Sequence, residues 1–374
     1  MKMKRLLSLL LAFLMCFVLV ACQSDTDGDT TTTDRSEQTT GNIDDNTDKS
    51  KETTGKTEDT TDSSGDTTTK ADDTTADSEQ SPEPPEDPQI STATPLLYRV
   101  TDGNGNIVWL FGSIHLGRED YYPLPDYVLR AYNGADALAV EMDILSFEKD
   151  LNLQIKALSH LVYRDGTTIK DYIPASLYDS AVSILKSYNS YASALDYYCP
   201  AFWASTIDSL LYADLAVDAN LGIDRHLINN AYDTGKEIVE IESAEFQYKM
   251  LGEFDSDVQL LLLMSAVERY ECRDEVTDEL EKLMDLWASG DEDEFSEYLN
   301  SGTDDIPLIY KQTYKKYNKA MITDRNINMA DFAEEALSSG KEIFICVGAA
   351  HIVGEGAVAD LLSQRGYTVE RVVN

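Results

Sequence analysis

The chain has 374 residues and a formal net charge of −38, from 30 Lys and Arg against 68 Asp and Glu. A surface this acidic repels phosphate backbones, which excludes nucleic acid as an expected partner, and it is repelled by anionic lipid, so any membrane link needs a specific anchor and not a basic patch. Length alone allows two domains, but residues 1–22 read as an export signal and residues 23–92 as low-complexity sequence, leaving 93–374 for one folded region with a sizeable core.

Lys2, Lys4 and Arg5 precede an apolar run from Leu6 to Ala21. A positive start followed by such a run is a signal-peptide pattern, and the run falls short of the ~20 apolar residues a spanning helix needs. It ends Leu19-Val20-Ala21-Cys22, which resembles a bacterial lipobox. The expectation is cleavage before Cys22 and lipid attachment there, since two acyl chains are enough for stable anchoring; an uncleaved anchor helix is the alternative. Residues 23–92 are rich in Thr, Asp, Ser and Gly and nearly free of aliphatic side chains. They cannot bury enough apolar surface to offset the entropy of ordering and are expected to be disordered, stiffened by Pro82, Pro84, Pro85 and Pro88, and to hold the folded region off the membrane. A calcium- or partner-binding tail is the lesser reading. Cys199, Cys272 and Cys346 match no metal-binding spacing; a Cys199–Cys272 disulfide stays open.

In the folded region, Leu96–Val100 and Ile107–Phe111 flank Asp102-Gly103-Asn104-Gly105-Asn106 and predict a hairpin. The second strand runs directly into Gly112-Ser113-Ile114-His115. Pro125 opens a predicted helix to Tyr132. Ala137–Asp143 reads as a strand that places Glu141 and Asp143 on one face. Glu141 is then either ion-paired with an arginine at the sheet end or a metal ligand or general base. Phe147 to Asp218 has helical spacing, and its dense tyrosines are expected to pack between helices. Gly222 begins another helix carrying His226, expected to be solvated or ion-paired; His160 is an ordinary helix position. Lys236–Glu242 alternates as a strand with an acid at its end, and Ser243 is a cap for the next helix. Phe246 to Ser289 is mostly helix, and shorter helices follow. A helix from Thr323 to Leu337 carries Arg325 and Asn326, to cap it or contact an anion. Lys341–Val347 is a buried strand that runs into Gly348-Ala349-Ala350-His351; helix 355–364 and strand 367–373 end the chain.

Two of the four histidines therefore end a strand-Gly-x-x-His unit. Ligands in open α/β sheets bind beyond the carboxyl ends of strands, where glycine lets the backbone approach closely. Two imidazoles and one or two carboxylates can hold a divalent metal with an open position and acidify a bound water for hydrolysis, with a second carboxylate to orient that water or take its proton. No Gly-x-Ser-x-Gly, His-Glu-x-x-His or phosphate-loop motif competes.

The segments Leu97–Val100, Trp109–Gly117, Val140–Asp143, Gly222–Asp224, Trp287–Asp291, Arg325-Asn326 and Val347–Gly354 together resemble the TraB/GumN family, which includes bacterial pheromone-shutdown proteins and is related to the Tiki proteases. The resemblance implies a mixed α/β fold, with β-sheets flanked by helices as in erythromycin-esterase and ChaN-like proteins. It implies a metal-dependent peptidase with His115, His351 and Glu141 as metal ligands and Glu141, Glu242, Arg325 and Asn326 as catalytic residues. The metal in the Tiki branch is often manganese or cobalt; carboxylates suit manganese, and imidazoles suit zinc equally. The leading expectation is a lipid-anchored peptidase on the extracytoplasmic face. The alternatives are a peptide- or haem-binding lipoprotein that sequesters a signal, and a structural surface lipoprotein.

Overall fold

The computed structural model describes residues 91–215, 219–301 and 306–373. Cys22, the export signal and all but the last two residues of the 23–92 tract lie outside the described residues, and no helix among those described is long and apolar enough to cross a membrane. Ser91 already packs on the fold, its hydroxyl donating to the Tyr121 carbonyl at 3.0 Å.

Six strands form one mixed sheet: β1 Leu97–Thr101, β2 Ile107–Ser113, β3 Ala137–Val140, β4 Glu237–Glu240, β5 Ile343–Gly348 and β6 Thr368–Val372, in the order β4-β3-β5-β2-β1-β6. β4, β3, β5 and β2 run parallel, while β1 is antiparallel to both its neighbours, β2 and β6. Helices flank this sheet, so the fold is mixed α/β. The predicted hairpin is present, with Asp102 as its anchor: one carboxylate oxygen accepts the backbone N–H of Asn104 and of Asn106.

The central strand explains its own burial. Ile343-Phe344-Ile345-Cys346-Val347 is buried along its whole length, as a parallel strand covered on both faces should be, and full burial of a side chain such as Phe344 or Ile345 is worth about 1.5–3 kcal/mol. β4, at the sheet edge, is only partly covered, with Ile238 and Val239 half-buried between exposed glutamates. One predicted strand is cut short. β3 stops at Val140, and Asp143 is not a strand residue sharing a face with Glu141: its side chain caps the helix Ile144–Lys149 by accepting from Ser146 N at 3.0 Å. An aspartate three residues before an available N–H is better used as a cap than as an exposed strand end.

A second apolar core lies among the helices inserted between β3 and β5, chiefly Pro200–Asp214, Ser256–Glu271 and the segment around Tyr317 and Met321. The tyrosines of this region pack between helices as expected: Tyr178 and Tyr191 share Asp196 and flank Trp203. The core also encloses an ion pair. Arg269 donates through Nε and Nη2 to the two oxygens of Asp208, and the two side chains are 0% and 1% exposed. Cys199, Cys272 and Cys346 are free thiols.

Removing one member of such a pair strands a buried charge. Arg269→Met is expected to lower stability by about 3–5 kcal/mol, whereas Asp208→Leu with Arg269→Met should recover most of that loss. Urea unfolding of the two variants beside the wild type checks both values.

Candidate active site

The parallel strands bring their C-terminal ends to one edge of the sheet. Val140, Cys346 and Phe111 lie level across β3, β5 and β2. Glu141 follows β3, the Gly348-Ala349-Ala350-His351 unit completes β5, and the Gly112-Ser113-Ile114-His115 unit completes β2. Glu242 follows β4, and its N–H donates to the Glu141 carbonyl, extending the pairing past the formal strand ends. The first glycine of each unit is needed for closeness. A Cβ on Gly112 would lie 2.9 Å from Ala349 Cα, so the short helix Ala349–Ile352 could not seat on β2. A Cβ on Gly348 would lie 3.3 Å from Glu141 Oε1 and 3.7 Å from His351 Cδ2.

At the centre is one guanidinium shared by two carboxylates. Arg325 donates through Nε to Glu242 Oε1 at 2.7 Å, through Nη2 to Glu242 Oε2 at 2.8 Å, and through Nη2 to Glu141 Oε2 at 2.5 Å. Its Nη1 donates to the Met321 carbonyl at 3.3 Å. Met321 lies in the π-helical turn Lys319–Thr323, directly before the helix Asp324–Ser339 that carries Arg325 and Asn326. Such turns are frequent at functional sites. Gly348 N–H donates to Glu141 Oε1 at 2.8 Å, and Gln247 Nε2 donates to both Glu242 Oε2 and Glu141 Oε2. Burial disfavours charge on Glu141, but Arg325, then the two histidines and the Gly348 N–H, outweigh it and hold its carboxyl well below the usual range.

Each imidazole is oriented through Nδ1. His115 Nδ1 donates to Asp224 Oδ2 at 2.8 Å. His351 Nδ1 donates to Asn326 Oδ1 at 2.6 Å, and Asn326 Nδ2 donates to the Gly356 carbonyl, which assigns the amide orientation. When a ring is neutral, such a partner at Nδ1 leaves Nε2 as the lone-pair nitrogen, the arrangement usual for metal-binding histidines. Burial, reinforced by Arg325, pushes His351 down to about 3, so it is neutral at physiological pH.

A pocket covers this edge. His115, Glu141, Gln247, Arg325 and Ser113 form its polar end, and its walls are apolar, among them Met250, Leu283 and Phe295. His351, which is 0% exposed, and Glu242 and Asn326 stand behind the lining. Among the described residues, no group of three or more His, Cys, Asp and Glu side chains is gathered closely enough to hold a metal. The residues that a metal would need are two oriented imidazoles and Glu141, whose Oε1 accepts one hydrogen bond and keeps a second lone pair.

The first strand-end glutamate therefore has the arginine partner that was one of its two expected readings. Asp224 and Gln247, neither of them assigned a role from the sequence, complete the arrangement; the Ile223 N–H next to Asp224 donates to the Ile114 carbonyl within the first unit. His226 is neither solvated nor ion-paired as expected. Its ring lies 4.3 Å from that of Tyr122, half-buried.

Residues 96–371 match the TraB/PrgY/gumN family. The chain belongs to that family. It is 26% identical over 255 residues to the uncharacterized protein YbaP of Escherichia coli (strain K12), covering 68% of this chain and 86% of YbaP, and to YbaP of Shigella flexneri over the same shares. No solved structure matches it.

The buried histidine fixes an acid sensitivity. His351 titrates near 3 in the fold against 6.5 when free, so the unfolded chain binds the extra proton as pH falls through 6.5 and stability drops from there toward pH 3. Glu141, held below its free value of 4.5, adds to the loss only at more acid pH. Between pH 6.5 and 4.5 the metal-free His351→Gln variant should show a shallower fall in urea stability than wild type; equal slopes would mean that His351 is not buried in its neutral form.

Proposed function

We propose that this TraB/PrgY/gumN domain is a metal-assisted hydrolase of peptides, anchored through lipid on Cys22 at the extracytoplasmic face of the membrane. The observation that carries the reading is the pair of Nδ1-anchored imidazoles at the ends of adjacent parallel strands, beside an ionised glutamate and under a partly apolar pocket. His115, His351 and Glu141 are the residues that would hold a divalent ion, manganese, cobalt or zinc. Such an ion supplies a water acidified toward neutral pH. Asp224 and Asn326 orient the two rings. Arg325 stays protonated, because Glu141 and Glu242 together outweigh the cost of its burial, and it holds the Glu141 carboxyl well below its usual range. Glu141 is the base that lines the pocket.

A second reading has its own support. Glu141 is already engaged by Arg325 and Gly348, and most of the pocket wall is apolar, features suited to capturing a peptide or haem without cleaving it.

Metal content and turnover separate the two. The purified chain is expected to retain a divalent metal and to cleave members of a quenched fluorogenic peptide library, with activity removed by chelator and restored by manganese, cobalt or zinc. Asp224→Asn should weaken metal affinity about 10–100-fold, and His351→Ala should abolish turnover. Peptide or haem binding that survives chelation, with no cleavage, would replace the hydrolase with the capture reading.

A further inference from the structure

Two polar atoms in the pocket are left over from the network above. Ser113 is 2% exposed, and apart from a weak contact with the Cys346 thiol its hydroxyl has no hydrogen-bond partner among the described residues. Gln247 is also 2% exposed, and its Oε1 has no partner among them either. Both residues line the pocket with His115, Glu141 and Arg325. A buried polar atom without a partner costs about 1–3 kcal/mol, so two on one pocket wall require an explanation.

Their orientations are set by the backbone and the network. Ser113 is level with Gly348 across β2 and β5, so their Cβ directions share a face of the sheet. The Cβ direction of Gly348 leads to Glu141 Oε1; the Ser113 side chain therefore stands one strand spacing away on the face that holds the Glu141 carboxylate. Its protein neighbour there is the Cys346 thiol, kept protonated by burial and a weak partner. For Gln247 the amide orientation is decided by chemistry: Nε2 must face Glu141 and Glu242, because both only accept, which leaves Oε1 as the outward acceptor. Arg325 spends four of its five N–H groups on Glu141, Glu242 and Met321, so little other donor capacity is left at this end of the pocket.

One unspent donor and one unspent acceptor match the two polar groups of a secondary amide. We propose that Ser113 and Gln247 are substrate-contacting residues that recognise a backbone amide of the peptide, Ser113 donating to its carbonyl oxygen and Gln247 Oε1 accepting its N–H. The inference rests on the peptide reading given above and names which atoms of the substrate are held.

The experiment pairs a change in the protein with a change in the ligand. The full chain is given fluorogenic peptides from the library and, for each one cleaved, analogues N-methylated at successive amides. N-methylation at one amide is expected to raise KM about three- to tenfold, the value of one neutral hydrogen bond. Ser113→Ala should raise KM by a similar factor, with a melting temperature no lower than wild type, and Ser113→Thr should keep most of the affinity. Unchanged KM in Ser113→Ala, or a KM indifferent to every N-methylation, overturns the proposal. A lower melting temperature in Ser113→Ala also overturns it, by giving the hydroxyl a structural duty. If the wild type cleaves none of the peptides, the hydrolase reading fails, and calorimetric binding of the same peptides decides: an amide-selective loss of affinity sustains the inference, and no peptide binding ends it.

Discussion

The interaction on which the site depends is one buried guanidinium shared by two buried carboxylates. The Arg325 side chain is 4% exposed, Glu141 12% and Glu242 3%. Desolvating an ion costs several kcal/mol even after relaxation, and a buried pair recovers this only with good geometry and further hydrogen bonds. Arg325 meets that condition with two bonds to Glu242, one to Glu141 and one to a carbonyl. Formally the triad carries one negative charge, two carboxylates against one guanidinium. His351, kept neutral by its burial, adds no positive charge to balance it. The residual charge lies on Glu141, softened by the Gly348 N–H and Gln247, at the pocket face.

The sheet accounts for where these groups stand. Four parallel strands end together, and the pairing of β3, β5 and β2 is level at Val140, Cys346 and Phe111. From that line each functional side chain is reached within a few residues. The helical insertions supply the partners that strands cannot. Asp224 comes from the first turn of the helix Ile223–Thr234, Gln247 from Ala244–Gly252, and Arg325 and Asn326 from the helix after the π-helical turn. Ser243 holds the Gln247 helix in place by capping it at Phe246 N–H, an interaction worth about 1 kcal/mol. The sheet therefore sets the spacing of the chemistry, and the inserted helices set its orientation.

That division explains what could be read from the sequence. The two strand-Gly-x-x-His units, the hairpin at Asp102 and the Ser243 cap are local patterns, each contained in a few residues, and the fold has all of them. The same holds for the helix ending at Gly290, a residue with φ of +63° where glycine is favoured. The pairing of Glu141 with an arginine was foreseeable as one of two choices, because a carboxylate between Val140 and Met142 needs a partner; which arginine depends on contacts 184 residues apart. Asp224 was unreadable as the His115 partner for the same reason. It is an ordinary helix-start aspartate until the Ile223 N–H joins the helix to the Ile114 carbonyl just past β2. Asp143 was misread because alternation along a strand was carried past the point where the backbone turns, and His226 because a polar neighbourhood in sequence says nothing of the Tyr122 ring that packs against it in space.

The shared arginine also bears on whether Glu141 can serve a cation while bonded to Arg325. The two acids are not equivalent. Glu242 takes two of the guanidinium bonds, is the more buried, and stands behind the pocket; Glu141 takes one and lines it. Giving up the Arg325–Glu141 bond forfeits one charge-assisted hydrogen bond, about 1.5–3 kcal/mol, and leaves Arg325 still neutralised by Glu242. Were a divalent ion held as proposed, Glu141 could turn to it while Glu242 remained the counter-charge of Arg325. With Gln in place of Glu242 the guanidinium would have Glu141 as its sole carboxylate, and the same exchange would strand a buried cation. Glu242 therefore gives Glu141 its freedom without facing the pocket, and that is a physical reason for two acids where one arginine needs only one.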